Sequence, residues 1–366
     1  MAGPPQPTDA PDVMTSASAA ASPAAASGVR GLIAKYGRLL WWLHSAYALG
    51  LGITVIMFAR KGFGHARWLA ISLAMLWIIL LIFFRAFGAG RSQAVEGKHA
   101  KIKFYVMTYV LKNLYQGMLF FLLPFYWRSA VFGAPSQWFV VILGVCAVLS
   151  TLDVVFDHVL MRFKVAASVF YFLTLFCCLN LVIPALFPNM RSVATLVGAA
   201  VISALAFWTM HIPVRFLGRP AVAALLVVWS GGSLVGAYFG RTYVPPVAMY
   251  VASGAVGPEL LDDGRLAIEA SAMHASRVDG DLHAVTVVSV PGGKGDTLVH
   301  VWRKDGELLQ RSTDVDVMPS GTVGAVRLSS TLAPENNPKD RVGAWWVDVE
   351  TTDGQLVGRV TFDVNR

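Results

Sequence analysis

The chain has 366 residues, 55% hydrophobic and 14% charged, with a mean hydropathy of +0.58 and a formal net charge of +8. A soluble chain carries about 25% charged residues, so this balance excludes a disordered protein, a coiled coil and a single soluble domain. It predicts a polytopic membrane protein with a second domain attached. The charge is uneven. Residues 1–241 hold 19 Lys and Arg against 5 Asp and Glu, whereas 242–366 hold 11 against 17. The basic residues of the first part flank apolar runs, so the expected partner is the lipid bilayer and not nucleic acid.

In chain order, residues 1–28 are rich in Pro, Ala and Ser and lack apolar periodicity, which predicts a disordered tail. Seven apolar segments follow, at 39–58, 68–84, 104–127, 138–160, 165–187, 193–213 and 221–240. Each is near the roughly 20 residues a helix needs to cross a bilayer. Residues 29–241 are thus expected to form a bundle of about seven transmembrane helices. With the N-terminus inside, 12 Lys and Arg flank the inner ends and six flank the outer ends: Arg60, Lys61, Arg67, Arg128, Arg191 and Arg241. That asymmetry favours a cytoplasmic N-terminus, and an odd helix count puts the C-terminal domain on the other side.

After Arg241 the texture changes. Pro245 and Pro246 predict a stiff exit, and 242–258 reads as a linker. From 259 to 366 short β-rich runs alternate with turn signals, at 284–290, 298–303, 308–312, 323–329, 344–350 and 355–364. Asp305-Gly306 and Asp353-Gly354 read as hairpin turns. Trp345, Val347 and Val349 share one strand face, as do Val360, Phe362 and Val364. The expected fold is a small all-β, sandwich-like antiparallel domain.

The last 80 residues or so carry a recognisable order of features: His300 and Trp302 before Asp305-Gly306, then Gly343, Trp345, Trp346, Asp348 and Val349. Asp353-Gly354, Gly358, Phe362 and Val364 close it. In these the region resembles a bacterial family, the domain of unknown function 2914. The resemblance implies a membrane-anchored domain of unknown activity in a bacterial protein and carries over no catalytic residues; with the odd helix count, the expected location is the bacterial inner membrane with the β domain in the periplasm.

Charges within membrane spans are costly and mark function or a buried pair. Asp153 and Asp157 are the only acids in the expected spans, and Lys112 is the one basic residue well inside. Tyr109, Lys112, Asn113 and Gln116 fall on one helical stripe, so Lys112, Asn113, Gln116, Asp153 and Asp157 form an expected intramembrane polar cluster. It reads either as a structural ion pair or as an ion or proton relay or a buried ligand pocket. Gly232, Gly236 and Gly240 form a ladder of the kind that lets helices approach closely, within the chain or in a homo-oligomer. In the β domain, His300 and Trp346 are candidates for a recognition surface. His274, His283 and His300 match no zinc spacing, and Cys146, Cys177 and Cys178 read as apolar fillers, so no metal and no cofactor are expected. No Walker A loop, HExxH, GxSxG or dinucleotide fingerprint occurs. The expected function is therefore non-enzymatic: a membrane anchor presenting an outward β domain that binds an envelope protein or a cell-wall component. The alternative is a small-solute or ion transporter using the Lys112–Asp153–Asp157 cluster.

Overall fold

The computed structural model describes residues 98–366 apart from short stretches, the longest being 157–159, 291–295 and 321–323, together with Ile78, Ile79 and Ile82. The tail 1–28, the expected span 39–58, nearly all of 68–84, and Asp153 and Asp157 lie outside the described residues.

The helical region contains α1 (Lys98–Ser129), α2 (Ser136–Thr151), α3 (Lys164–Leu186), α4 (Ser192–His211) and α5 (Pro220–Phe239). Helix α1 packs on α2 and α3, α3 on α4, and α4 on α5. The core stripe of α1 is Leu111, Tyr115, Leu119, Leu122 and Tyr126, all fully or nearly fully buried and spaced by three and four residues as one helix face requires. Tyr115 meets Phe170 of α3 edge-on, with ring centroids 5.1 Å apart. The Tyr126 hydroxyl donates to the Cys177 carbonyl at 3.0 Å. All of this buries apolar area without leaving the Tyr126 phenol unpaired.

The expectation of about seven membrane helices is corrected here. Among the described residues there are five α-helices, and two segments, Val165–Leu186 and Pro220–Thr242, are long and apolar enough to cross a membrane. The expected span 138–160 is not one helix. Helix α2 stops at Thr151, and Leu152 turns extended, with φ −85° and ψ 108°. Ser150 and Thr151 hydroxyls bond back to the carbonyls of Ala147 and Val148 at 2.6 and 2.7 Å. Such hydroxyls compete with the helical ladder. At 1.5 Å per residue, 16 residues reach about 24 Å, short of a bilayer core. Helix α4 ends at His211, because Ile212 precedes a proline and is forced extended, and its apolar part, Ser192–Trp208, is shorter than a span.

The C-terminal part is a sandwich of two sheets. Its strands are β1 (Tyr250–Gly257), β2 (Ala272–His274), β3 (Leu282–Ser289), β4 (Leu298–Lys304), β5 (Glu307–Ser312), β6 (Asp316–Pro319), β7 (Ala325–Leu332), β8 (Gly343–Thr351) and β9 (Leu356–Asn365). One sheet runs β1-β3-β7-β6 and the other β2-β9-β8-β4-β5. Every pairing is antiparallel except β2 with β9. The β4–β5 turn has positive φ at both Asp305 (48°) and Gly306 (94°), the tight hairpin the dipeptide predicted. Trp302, Trp345, Val347 and Phe362 from one sheet and Ala284 and Leu332 from the other form the core.

The expected linker 242–258 is also corrected, since 250–257 is strand β1. Its small residues hide the alternation, and they are small because two sheets close on each other there. A Cβ on Gly254 would fall 2.3 Å from Val360 Cγ2, and one on Gly358 2.1 Å from Val251 Cγ2.

The sandwich sits against the C-terminal ends of α1, α3 and α5. Arg128, in the last turn of α1, lies with Cζ 5.8 Å from the Tyr250 ring centroid. After α3, Arg191 Nε is 3.8 Å from an Asp353 carboxylate oxygen. The Ser192 amide donates to the Asp296 carboxylate at 3.0 Å, and its hydroxyl bonds the same group. Beyond α5, Arg241 Nε donates to the Asp353 carbonyl at 2.5 Å. Three of the six basic residues expected at the outer flanks thus meet the acidic domain.

Candidate functional site

Strand β4 places Leu298, His300 and Trp302 on its inner face. Opposite them, β3 turns Leu282, Ala284, Thr286 and Val288 inward, and β7 offers Leu328, Ser330 and Leu332. Three polar residues therefore meet in an otherwise apolar layer. Thr286 Oγ1 lies 2.8 Å from His300 Nε2, and Ser330 Oγ lies 2.7 Å from His300 Nδ1. The Trp302 indole N–H donates to Ser330 Oγ at 3.3 Å. A neutral imidazole has one donor and one acceptor, and two hydroxyls satisfy both whichever nitrogen carries the proton. His300 is 0% exposed, and burial pushes its pKa down to about 4, because a charged imidazole would lose its hydration without gaining an anion. Full burial corrects the expectation that His300 joins a recognition surface.

Ser330 connects this buried cluster to a cleft of about 380 Å³ between β5 and β7, lined by Gln310, Arg311, Ser312, Asp316 and Ser329 among others. Strand β6 pairs with β7 only from Val326 to Ser329, so the β7 edge beyond it opens into this space. Gln310 Nε2 donates to Ser312 Oγ at 2.9 Å and to the Thr331 carbonyl at 3.1 Å, and Asn336 Nδ2 donates to Gln310 Oε1 at 2.9 Å. Hydroxyls and amides dominate, with one cation and one anion among them. Such a lining suits a neutral ligand rich in hydroxyl or amide groups better than a metal or a strongly charged ion. Among the described residues no group of His, Cys, Asp and Glu could hold a metal ion.

Trp346 takes the outer face of the five-stranded sheet, half-buried. The Arg359 guanidinium covers it, with Cζ 4.9 Å from the ring centroid. Arg359 also makes a two-point contact with Asp348, at 2.6 and 3.1 Å. Arg303 bridges Asp348 at 3.3 Å and Glu350 at 3.6 Å, and Arg311 reaches Glu350 at 3.5 Å. Burial raises the Glu350 pKa, and the two arginines oppose the rise. At the β4–β5 turn, the hydrogen bond from Lys304 holds Asp305 below the usual carboxylate value.

The helical candidates separate. Lys112 and Gln116 are buried inside the bundle, at 4% and 2% exposed. Tyr109 and Asn113 face outward, with Asn113 Nδ2 donating to the Tyr109 carbonyl at 2.8 Å. The expected single stripe is two adjacent helical rows, and the edge of the packed face runs between them. Gly232, Gly236 and Gly240 lie where an added Cβ would meet nothing within 4 Å. Close packing within the chain at the ladder is therefore corrected for the described residues. Helix α5 instead turns Val222, Leu226, Ser230, Ser233 and Ala237, its half-buried stripe, to the bundle, while Trp229 meets Trp208 at 5.4 Å.

Thr286, Ser330, Gln310 and Ser312 were missing from the sequence reading. Thr286 and Ser330 could have been found as polar residues at inward positions of alternating strands. Gln310 and Ser312 could not, since only sheet stacking brings β5 beside β7.

Comparison with protein families matches residues 295–364 to a protein family of unknown function, DUF2914, in agreement with the resemblance seen in the sequence. A second match covers residues 24–280, from before the helices through β1 and β2. The sandwich is therefore built from both matched regions, since β1 and β2, within 24–280, complete sheets whose other strands lie mostly within 295–364. Comparison with curated proteins finds no match. The match over residues 24–280 spans more than half of the chain, and on that ground the protein belongs to the family of unknown function DUF5924.

Proposed function

We propose that the helical region anchors the chain in a bilayer and that the β-sandwich binds a polar envelope component, glycan or peptide, in the cleft between β5 and β7. Helix α5 carries the anchoring part. The apolar segment Pro220–Thr242, which contains it, has no buried residue, with Val227, Val228 and Phe239 each more than 70% exposed. A soluble surface rarely tolerates so large an apolar patch, whereas lipid does. The cleft's hydroxyl and amide lining carries the binding part. The placement of the arginines supports one orientation. Arg128, Arg191 and Arg241 are engaged by the acidic sandwich, while Arg215 and Arg219 lie at the opposite end of the bundle. Basic residues at that far end favour its cytoplasmic placement and a periplasmic sandwich.

The test uses the full chain in detergent and soluble peptidoglycan fragments as probe. Binding that weakens about tenfold in Gln310→Ala and Ser312→Ala supports the reading, since each removes a cleft hydrogen-bonding group. Absence of binding, or binding by both variants as tight as by the wild-type chain, refutes it. Retention of the chain in alkaline-washed membranes tests the anchor separately.

A further inference from the structure

A second cleft, of about 510 Å³, opens where the loop after α1 overhangs the edges of β1 and β9. It lies on the far side of the sandwich from the polar cleft, because β1 and β9 stack at one open side and β5 and β7 at the other. Arg128 and Arg359 line it, and its lining includes no carboxylate. The two contacts Arg359 makes with Asp348 leave its other N–H groups available, since a guanidinium has five donors. Ser253 and Thr361 add hydroxyls. Both strands also present outer edges there: among the described residues β1 is bridged on its outer side only at Val256, to Ala270, and β9 pairs with β2 only from Asp363 onward. Backbone N–H groups of an unpaired strand edge are further donors.

The level of this cleft identifies its ligand. Trp127 and Phe132 flank the same loop, pack edge-on at 4.8 Å and are each 58% exposed. Phe239 and Tyr243, exposed at the end of α5, mark the same side of the bundle. Aromatic residues so placed sit at the headgroup level of a bilayer. Two arginines, two hydroxyls and no acid, at headgroup depth, form a receptor for phosphate.

We infer that the cleft between the α1–α2 loop and the β1 and β9 edges binds an anionic phosphate-bearing headgroup, one with no ammonium to offset its phosphate, with Arg128 and Arg359 as its cationic contacts. The lipid as source rests on the anchor proposed above. Occupancy couples the sandwich to the membrane surface, because the headgroup bridges a residue of the helical region and one of β9.

Native mass spectrometry of the full chain in detergent tests this, with phosphatidylglycerol and phosphatidylcholine as probes and glycerol 3-phosphate as a soluble competitor. The wild-type chain should bind phosphatidylglycerol about tenfold or more tightly than phosphatidylcholine. Arg128→Gln and Thr361→Trp should abolish the preference, the first by removing charge and the second by filling the cleft from an exposed position. Arg219→Gln, at the other end of the bundle, should leave it unchanged. Displacement by glycerol 3-phosphate assigns the site to a soluble phosphate, and retention of the lipid assigns it to the headgroup. Unchanged preference in both cleft variants overturns the site. Failure of the anchor would appear separately, as a chain absent from washed membranes.

Discussion

Lowering the pH should destabilise the sandwich through His300, and the size of the effect follows from its burial. The folded chain holds this imidazole neutral down to a pKa of about 4, whereas an unfolded histidine titrates near 6.5. Between those values the unfolded chain binds a proton that the folded one refuses. Stability from His300 is therefore fully present above about pH 6.5, declines as pH falls and is lost by about pH 4, a total of about 3 kcal/mol. Carboxylates titrate in the lower part of this window, so the measurement must be a difference. His300→Gln keeps an amide donor and acceptor between Thr286 and Ser330 but cannot take up the proton. Denaturant unfolding of the full chain in detergent, followed by near-ultraviolet signals of Trp302 and Trp345, gives stability against pH for both proteins. The wild-type curve should fall more steeply between pH 6.5 and 4.5. Parallel curves would refute the argument, since they would mean that His300 is hydrated or paired with an anion.

Asp348→Asn should cost about 3 kcal/mol in the same assay, because Asp348 is 2% exposed and leaves Arg359 and Arg303 short of a counter-charge; a loss below 1 kcal/mol would show the ladder to be superficial. Gly358→Val should lower the midpoint strongly, as its side chain would overlap Val251. Arg241→Ala should loosen the join between sandwich and bundle by removing the bond to the Asp353 carbonyl, seen as faster proteolysis between residues 243 and 249 with an unchanged sandwich core. Gly236→Leu should leave the stability of the single chain within about 0.5 kcal/mol, since an added Cβ meets nothing there; a fall in oligomer size by light scattering would assign the ladder to contacts between chains.

Local pattern determined much of this protein. Turn chemistry at Asp305-Gly306 and period-two alternation in β8 and β9 announced the hairpins, because both act over a few residues. The charge division near Arg241 separated the helical region from an acidic domain for the same reason. Tertiary structure decided the rest. Hydropathy counts apolar residues without knowing where a helix ends, so it merged α2 with the residues past Leu152 and overstated the number of spans. Strand β1 escaped notice because Gly254 serves the close approach of β9, a neighbour more than a hundred positions away. His300 carries the same residues around it in any sequence reading, but only the stacking of β3, β4 and β7 turns it from a surface candidate into a buried hydrogen-bonded pivot. Arg128 and Arg359 likewise line one cleft only because the end of α1 meets the edge of β9. Clefts belong to elements far apart in the chain, and such meetings are set by the summed packing of whole faces, not by any local pattern.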